Sequence, residues 1–202
     1  MTSSNALEVY DWTTEYRTED PVRGKVIGFI TDHFVVGREK SALPSDHQYI
    51  VIEFREGWRR LEAGSRPQWL MRQPGQPKPE QPYVPESEYV TDLSGQRVSP
   101  WRYLQWLYLV DATTGVISTL EVGSVGGLMS VAELGQQIAG MRQLKGSDAV
   151  PVIELGVQAF KTKFGMKKRP EFVVVGWKAT DNESSPLLTN LSDDGPDDTI
   201  PF

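Results

Sequence analysis

Tyr103-Leu-Gln-Trp-Leu-Tyr-Leu-Val-Asp111, then Thr113-Thr-Gly115, then Val116-Ile-Ser-Thr-Leu-Glu-Val122 is the stretch on which the fold turns. Both flanking segments are rich in β-branched and aromatic residues, and the Thr-Thr-Gly break between them predicts a hairpin or one long bent strand. Gly123 to Gly127 closes this segment, and Ser130 with Glu133 has the spacing of a capping box. Leu134, Ile138, Met141 and Leu144 recur at helical intervals up to Gly146, which predicts a short amphipathic helix. Gly-Ser-Val-Gly-Gly ahead of a helix invites a phosphate-loop reading. The Gly-x-x-x-x-Gly-Lys-Ser/Thr order is missing, however, and a tight turn is the simpler account.

Working outward, Ala149 to Phe160 reads as a strand, Lys161 to Pro170 as a loop with five basic residues, and Glu171 to Trp177 as the last strand. On the N-terminal side, Lys25 to Val36 reads as one strand with a bend at Gly28, and Gln48 to Arg55 as a second strand broken by Glu56-Gly57. Trp58 to Pro100 holds seven prolines, five of them between Pro74 and Pro85, which predicts an extended insertion with Trp58, Trp69 and Trp101 pinning it to the body. The result is a mainly β chain with one helix between the third and fourth strand units. That is the order of an OB-fold-like five-stranded barrel. The expected organisation is a loose arm over 1–21, a nucleic-acid-binding domain over 22–178 with an insertion at 58–100, and a disordered acidic tail over 179–202.

Composition narrows the classes of function. The 202 residues contain no cysteine, which excludes disulfides, thiolate metal sites and cysteine nucleophiles and fits a cytoplasmic protein. Six of the 27 acidic residues lie beyond residue 180, so the rest of the chain balances its 21 basic residues despite a net charge of −6. No run of apolar residues is long enough for a membrane span, and no charged-then-apolar leader is apparent.

The acidic run ends on Asp197-Asp-Thr-Ile-Pro-Phe202. A terminal Phe carries an aromatic ring and an α-carboxylate on one residue, so an apolar pocket rimmed by Arg could hold both, while Pro201 limits the entropy lost on docking. This ending resembles the tail of bacterial single-stranded DNA-binding proteins, which close on Asp-Asp-Asp-Ile-Pro-Phe; Thr199 is the one departure. The segment from Lys163-Phe-Gly to Arg169-Pro-Glu-Phe-Val-Val-Val-Gly-Trp177 is similar to proteins of this class carried by phages and mobile elements. The resemblance implies binding and protection of single-stranded DNA in replication, recombination and repair. It also implies recruitment of the enzymes of those processes through Asp197, Asp198, Ile200, Pro201 and Phe202. The implied setting is the bacterial cytoplasm or nucleoid, with a phage origin as one source. Tetramer assembly is not carried over, and a homo-oligomer is left open.

A DNA-binding body needs cations for phosphates and rings for bases. The basic loop supplies Lys161, Lys163, Lys167, Lys168 and Arg169 with Phe164 as a ring, and the second strand and its end supply Arg55, Arg59 and Arg60. In the third strand Tyr103, Gln105, Leu107 and Leu109 face one way and Leu104, Trp106, Tyr108 and Val110 the other. Trp106 and Tyr108 are stacking candidates if their side is open, and Tyr103 if it is not. Tyr49 and Phe54 carry the same ambiguity.

Two rival classes remain. His33 and His47 each stand beside an Asp, Asp32 and Asp46, and an Asp-His pair with a serine could in principle build a hydrolase site. No Gly-x-Ser-x-Gly elbow and no clustered metal ligands accompany them, so both histidines read as surface or loop residues and the expectation is a non-enzyme without metal or cofactor. The alternative is an adaptor or mimic that engages the replication machinery through its tail without binding DNA.

Overall fold

A computed structural model describes residues 21–44, 47–60, 67–73, 76–92, 95–145, 149–162 and 165–179. The chain order is β1 (Lys25–Ile30), β2 (His33–Val36), β3 (Ser41–Ala42), β4 (Gln48–Arg60), β5 (Gln68–Met71), a 3-10 turn (Glu86–Glu88), β6 (Val90–Thr91), β7 (Arg97–Val98), β8 (Trp101–Asp111), β9 (Ile117–Val122), α1 (Val125–Lys145), β10 (Ala149–Thr162) and β11 (Gly165–Ala179). The described residues divide into two compact units, one of residues 21–56 and 103–179, the other of residues 57–102.

The first unit is a curled, open sheet with one helix. Strand order runs β11-β10-β4-β8-β9-β1-β2-β3, with β5 pairing off β4, so the sheet has nine strands where five were expected. The excess has a local cause. The segment 25–36 is a hairpin, not a single bent strand: Thr31 adopts φ 55 in a tight turn, and Ile27 comes to lie opposite Val36. A threonine in the left-handed region gives no sequence signal of the kind glycine or asparagine would. The segment 103–122 is also a hairpin, with Leu107 opposite Leu120. Asp111 accepts the N–H groups of Thr113 and Thr114 at 2.8 Å each, and that carboxylate closes the turn.

One side of this sheet encloses the core. Ile27, Tyr49, Val51, Leu107, Leu109, Leu120, Ile153, Leu155 and Phe172 pack there with Val131, Leu134 and Ile138 of α1. At roughly 25 cal/mol per Å² of apolar surface, burial of this kind is the main stabilising term. The helix starts earlier than its periodicity suggests. Ser124 is the N-cap, its hydroxyl accepting the Gly127 N–H at 3.1 Å. Ser130 sits inside the helix, and its hydroxyl donates to the Pro170 carbonyl at 2.5 Å. Gly126 permits the close approach: a Cβ there would lie 2.9 Å from Arg169 Cβ and 3.2 Å from Phe160 Cζ.

The second unit is built on the end of β4, which continues through Glu56-Gly57 instead of stopping there. A Cβ on Gly57 would lie 2.5 Å from the Leu70 carbonyl oxygen, so glycine lets β5 pair closely. Leu70, Val84 and Trp101 form a small core flanked by Trp58 and Tyr89. The Pro-rich insertion thus carries a core of its own; of the tryptophans expected to pin it to the body, Trp101 belongs to that core, Trp58 packs against it, and Trp69 is buried within the same unit. Trp58 Nε1 donates to the Pro79 carbonyl at 2.9 Å, and Arg59 stacks over Trp69 at 5.6 Å.

Candidate nucleic-acid interface

The basic segment 161–170 is mostly strand, not loop. β10 and β11 pair without a break from Ile153 opposite Val174 to Thr162 opposite Gly165, so the cations ride on the arms of a long hairpin. Lys163 and Phe164 lie outside the described residues. Alternation divides the rest. The side that holds Leu155 and Phe172 in the core continues outward through Val157, Ala159, Lys161, Met166 and Lys168, all exposed. Gln158, Phe160, Lys167 and Arg169 take the other side.

Arg169 is buried and structural. Its Nη2 lies 2.9 Å from both carboxylate oxygens of Glu133 on α1, and its Nε 2.9 Å from Gln158 Oε1. Lys161 and Lys167 are exposed. Lys168 reaches across to the β1–β2 turn, where its Nζ donates to Asp32 Oδ2 at 3.0 Å. His33 Nδ1 lies 3.1 Å from the other Asp32 oxygen. The His33 hydrogen bond first, then the Lys168 ammonium, hold the Asp32 carboxyl below its ordinary range.

Trp106 and Tyr108 do point away from Leu107 and Leu109, but neither is exposed: both are 0 % accessible. Trp106 Nε1 donates to Glu121 at 3.3 Å, and the Tyr108 hydroxyl to the Pro21 carbonyl at 2.5 Å. Arg23 lies 4.6 Å and Arg55 5.9 Å over the Tyr108 ring, and Glu53 takes a hydrogen bond from each arginine. Tyr103 is on the core side, where its hydroxyl donates to Glu56 and Gln105 Nε2 donates to the same carboxylate at 3.0 Å. Tyr49 and Val51 share the core of Leu107, whereas Glu56, at the opposite parity, meets Tyr103 and Gln105. Phe54 is 38 % exposed. Arg59 and Arg60 belong to the second unit, and Arg60 pairs with Glu88 at 2.7 Å.

Sequence reading gave Asp32 and Arg23 no part in a site and assigned Glu133 to a capping box with Ser130, whereas it takes the Arg169 guanidinium. Asp32 stood out only as a neighbour of His33, and nothing in the pattern joins it to a lysine so far along the chain. His33 is exposed, and His47, half-buried, bonds to Asp111; Asp46 lies outside the described residues. Burial pushes the Asp111 carboxyl up, but the His47 bond and the N–H groups of Thr114 and Thr113 outweigh it and hold it well below the carboxylate range. Tyr49, beside His47, is pushed up to about 12 by burial and by the Asp111 charge. The arrangement locks the β8–β9 turn onto the start of β4.

Among the described residues no group of three or more His, Asp or Glu side chains could hold a metal ion, and no helix is long and apolar enough to cross a membrane. Asp197, Asp198, Ile200, Pro201 and Phe202 lie outside the described residues. Comparison with protein families, characterised proteins and solved structures finds no match to this chain.

Proposed function

We propose that this chain binds single-stranded DNA irrespective of sequence, and that its acidic C-terminal tail recruits enzymes of replication, recombination and repair. One observation carries the reading. When β4, β8, β9, β10 and β11 are numbered one to five, the sheet runs five-four-one-two-three, with α1 between three and four. This order supports an OB-fold-like reading in which β4, not the segment 25–36, serves as strand one and the β1–β2–β3 segment extends the sheet past β9. OB-folds bind nucleic acid through the connections between strands one and two and between four and five. Here the connection between four and five is the hairpin bearing Lys161, Lys167 and Lys168. Phosphate contacts and stacking read no base edges, so binding is independent of sequence. The tail sequence supports action in the bacterial cytoplasm or nucleoid.

The test is a titration of the intact protein with oligo-dT and with duplex of equal length, following tryptophan emission at two salt concentrations. Saturable binding of the single strand, weaker for duplex and reduced by salt, is the expected result. Absence of a response to either refutes it.

The second reading, an adaptor or mimic that works through its tail alone, is favoured by the burial of Trp106 and Tyr108, which removes two stacking platforms. A body without its tail that fails to bind oligonucleotide would select this reading.

A further inference from the structure

The β1–β2 turn and the β10–β11 hairpin come from opposite ends of the strand order, and Asp32 joins them. Its two oxygens take a lysine ammonium at 3.0 Å and a histidine nitrogen at 3.1 Å. That is a donor set which a phosphodiester with two free oxygens would also satisfy. Lys168 and Asp32 are 52 % and 44 % exposed, so the pair is solvated and readily exchanged. Lys168 also stands on the side of the hairpin that carries Val157, Lys161 and Met166, an alternation of apolar and cationic groups suited to a strand of nucleic acid.

We propose that Asp32 is a resident stand-in for a backbone phosphate: a single strand laid along that side of the hairpin displaces Asp32 and takes over the Lys168 ammonium. The inference rests on the nucleic-acid reading above and adds to it the side of entry and the group that must be displaced. Without nucleic acid, the Asp32 contact holds the hairpin against the β1–β2 turn; with it, one ion pair replaces another and the hairpin is freed from that turn.

The test is a double-mutant cycle on oligo-dT affinity in the full chain, with the wild type, Asp32→Asn, Lys168→Gln and the double variant at two salt concentrations. Asp32→Asn should tighten binding about 2- to 5-fold, the scale of an exposed ion pair. Lys168→Gln should weaken binding and reduce the salt slope by about 0.7. In the Lys168→Gln background the gain from Asp32→Asn should vanish. An equal gain in both backgrounds would show a bulk charge effect, and no gain in either would show no competition; each overturns the proposal while leaving DNA binding intact. Failure of the wild type to bind overturns the nucleic-acid reading and this one with it. Both side chains are at the surface, and matching thermal melts exclude misfolding as the cause.

Discussion

Arg169 and Glu133 join the β10–β11 hairpin to α1: the Arg169 Nη2 stands 2.9 Å from each carboxylate oxygen of Glu133. Arg169 is 9 % and Glu133 53 % exposed at the side chain, so removing the arginine strips a buried guanidinium from a partly solvated partner. Arg169→Ala should cost about 1.5–3 kcal/mol, the range for hydrogen bonds to charged groups. Urea unfolding should show a lower midpoint with an unchanged slope. Lys167→Gln, at an exposed position, should leave the midpoint in place.

Gly126 makes a sharper comparison. Alanine is favoured over glycine in a helix by about 1 kcal/mol, yet at 126 its Cβ would press on Arg169 Cβ and on the Phe160 ring. Gly126→Ala should therefore destabilise by about 1–3 kcal/mol. Gly135→Ala and Gly140→Ala, where nothing lies within 4 Å of the added atom, should stabilise by up to about 1 kcal/mol. Chemical denaturation of the three variants side by side checks the order.

Asp111 and Tyr49 make stability depend on pH at both extremes. The folded Asp111 carboxyl is depressed, so its contribution is present above the unfolded value near pH 4 and is lost as pH falls below that. Tyr49 is raised from 10.0 to about 12, so above pH 10 the unfolded chain ionises first and stability falls as pH rises toward 12. Asp111→Asn should reduce acid sensitivity. It should also let Tyr49 ionise at lower pH, because a neighbouring negative charge is gone. Phenolate absorbance and unfolding midpoints across pH report the two effects separately.

The tail should oppose DNA in the unbound protein. Its six acidic residues face a body of near-neutral charge with a basic hairpin, so deletion of 181–202 should tighten oligo-dT binding at low salt and have little effect at high salt. Unchanged affinity at every salt concentration would refute the competition. Removal of Phe202 alone should leave DNA binding intact and abolish capture of the recruited enzyme.

Much of the sheet was legible because alternation and turn residues agree locally. The stretches 48–55, 103–111, 149–160 and 171–177 lie within strands, and 116–122 does so from Ile117 onward. The helical stripe was legible in part: Leu134 and Ile138 are core, but Leu144 is 83 % exposed. The side of β8 that faces the core was not legible, because Trp106 and Tyr108 alternate with Leu107 and Leu109 and both sets are apolar. The helix start was missed because Gly126-Gly127 mimics a turn when only its neighbours in sequence are considered. The reason for glycine there is Phe160 and Arg169, which belong to distant strands. The ion pairs of the hairpin were illegible for the same cause, since Glu133 and Asp32 meet their partners only through the fold.

The parallel register that sets Lys25 beside Ser118 also bears on how the molecule is made. On a ribosome β1 emerges early and can close its local hairpin with β2, but its other neighbour is synthesised only after the whole of 57–102 has passed. Contacts so far apart along a chain form slowly, and an edge left unpaired in the meantime invites association with other strands. The β1–β2 hairpin is thus the element for which refolding kinetics and chaperone dependence should be most sensitive to substitution.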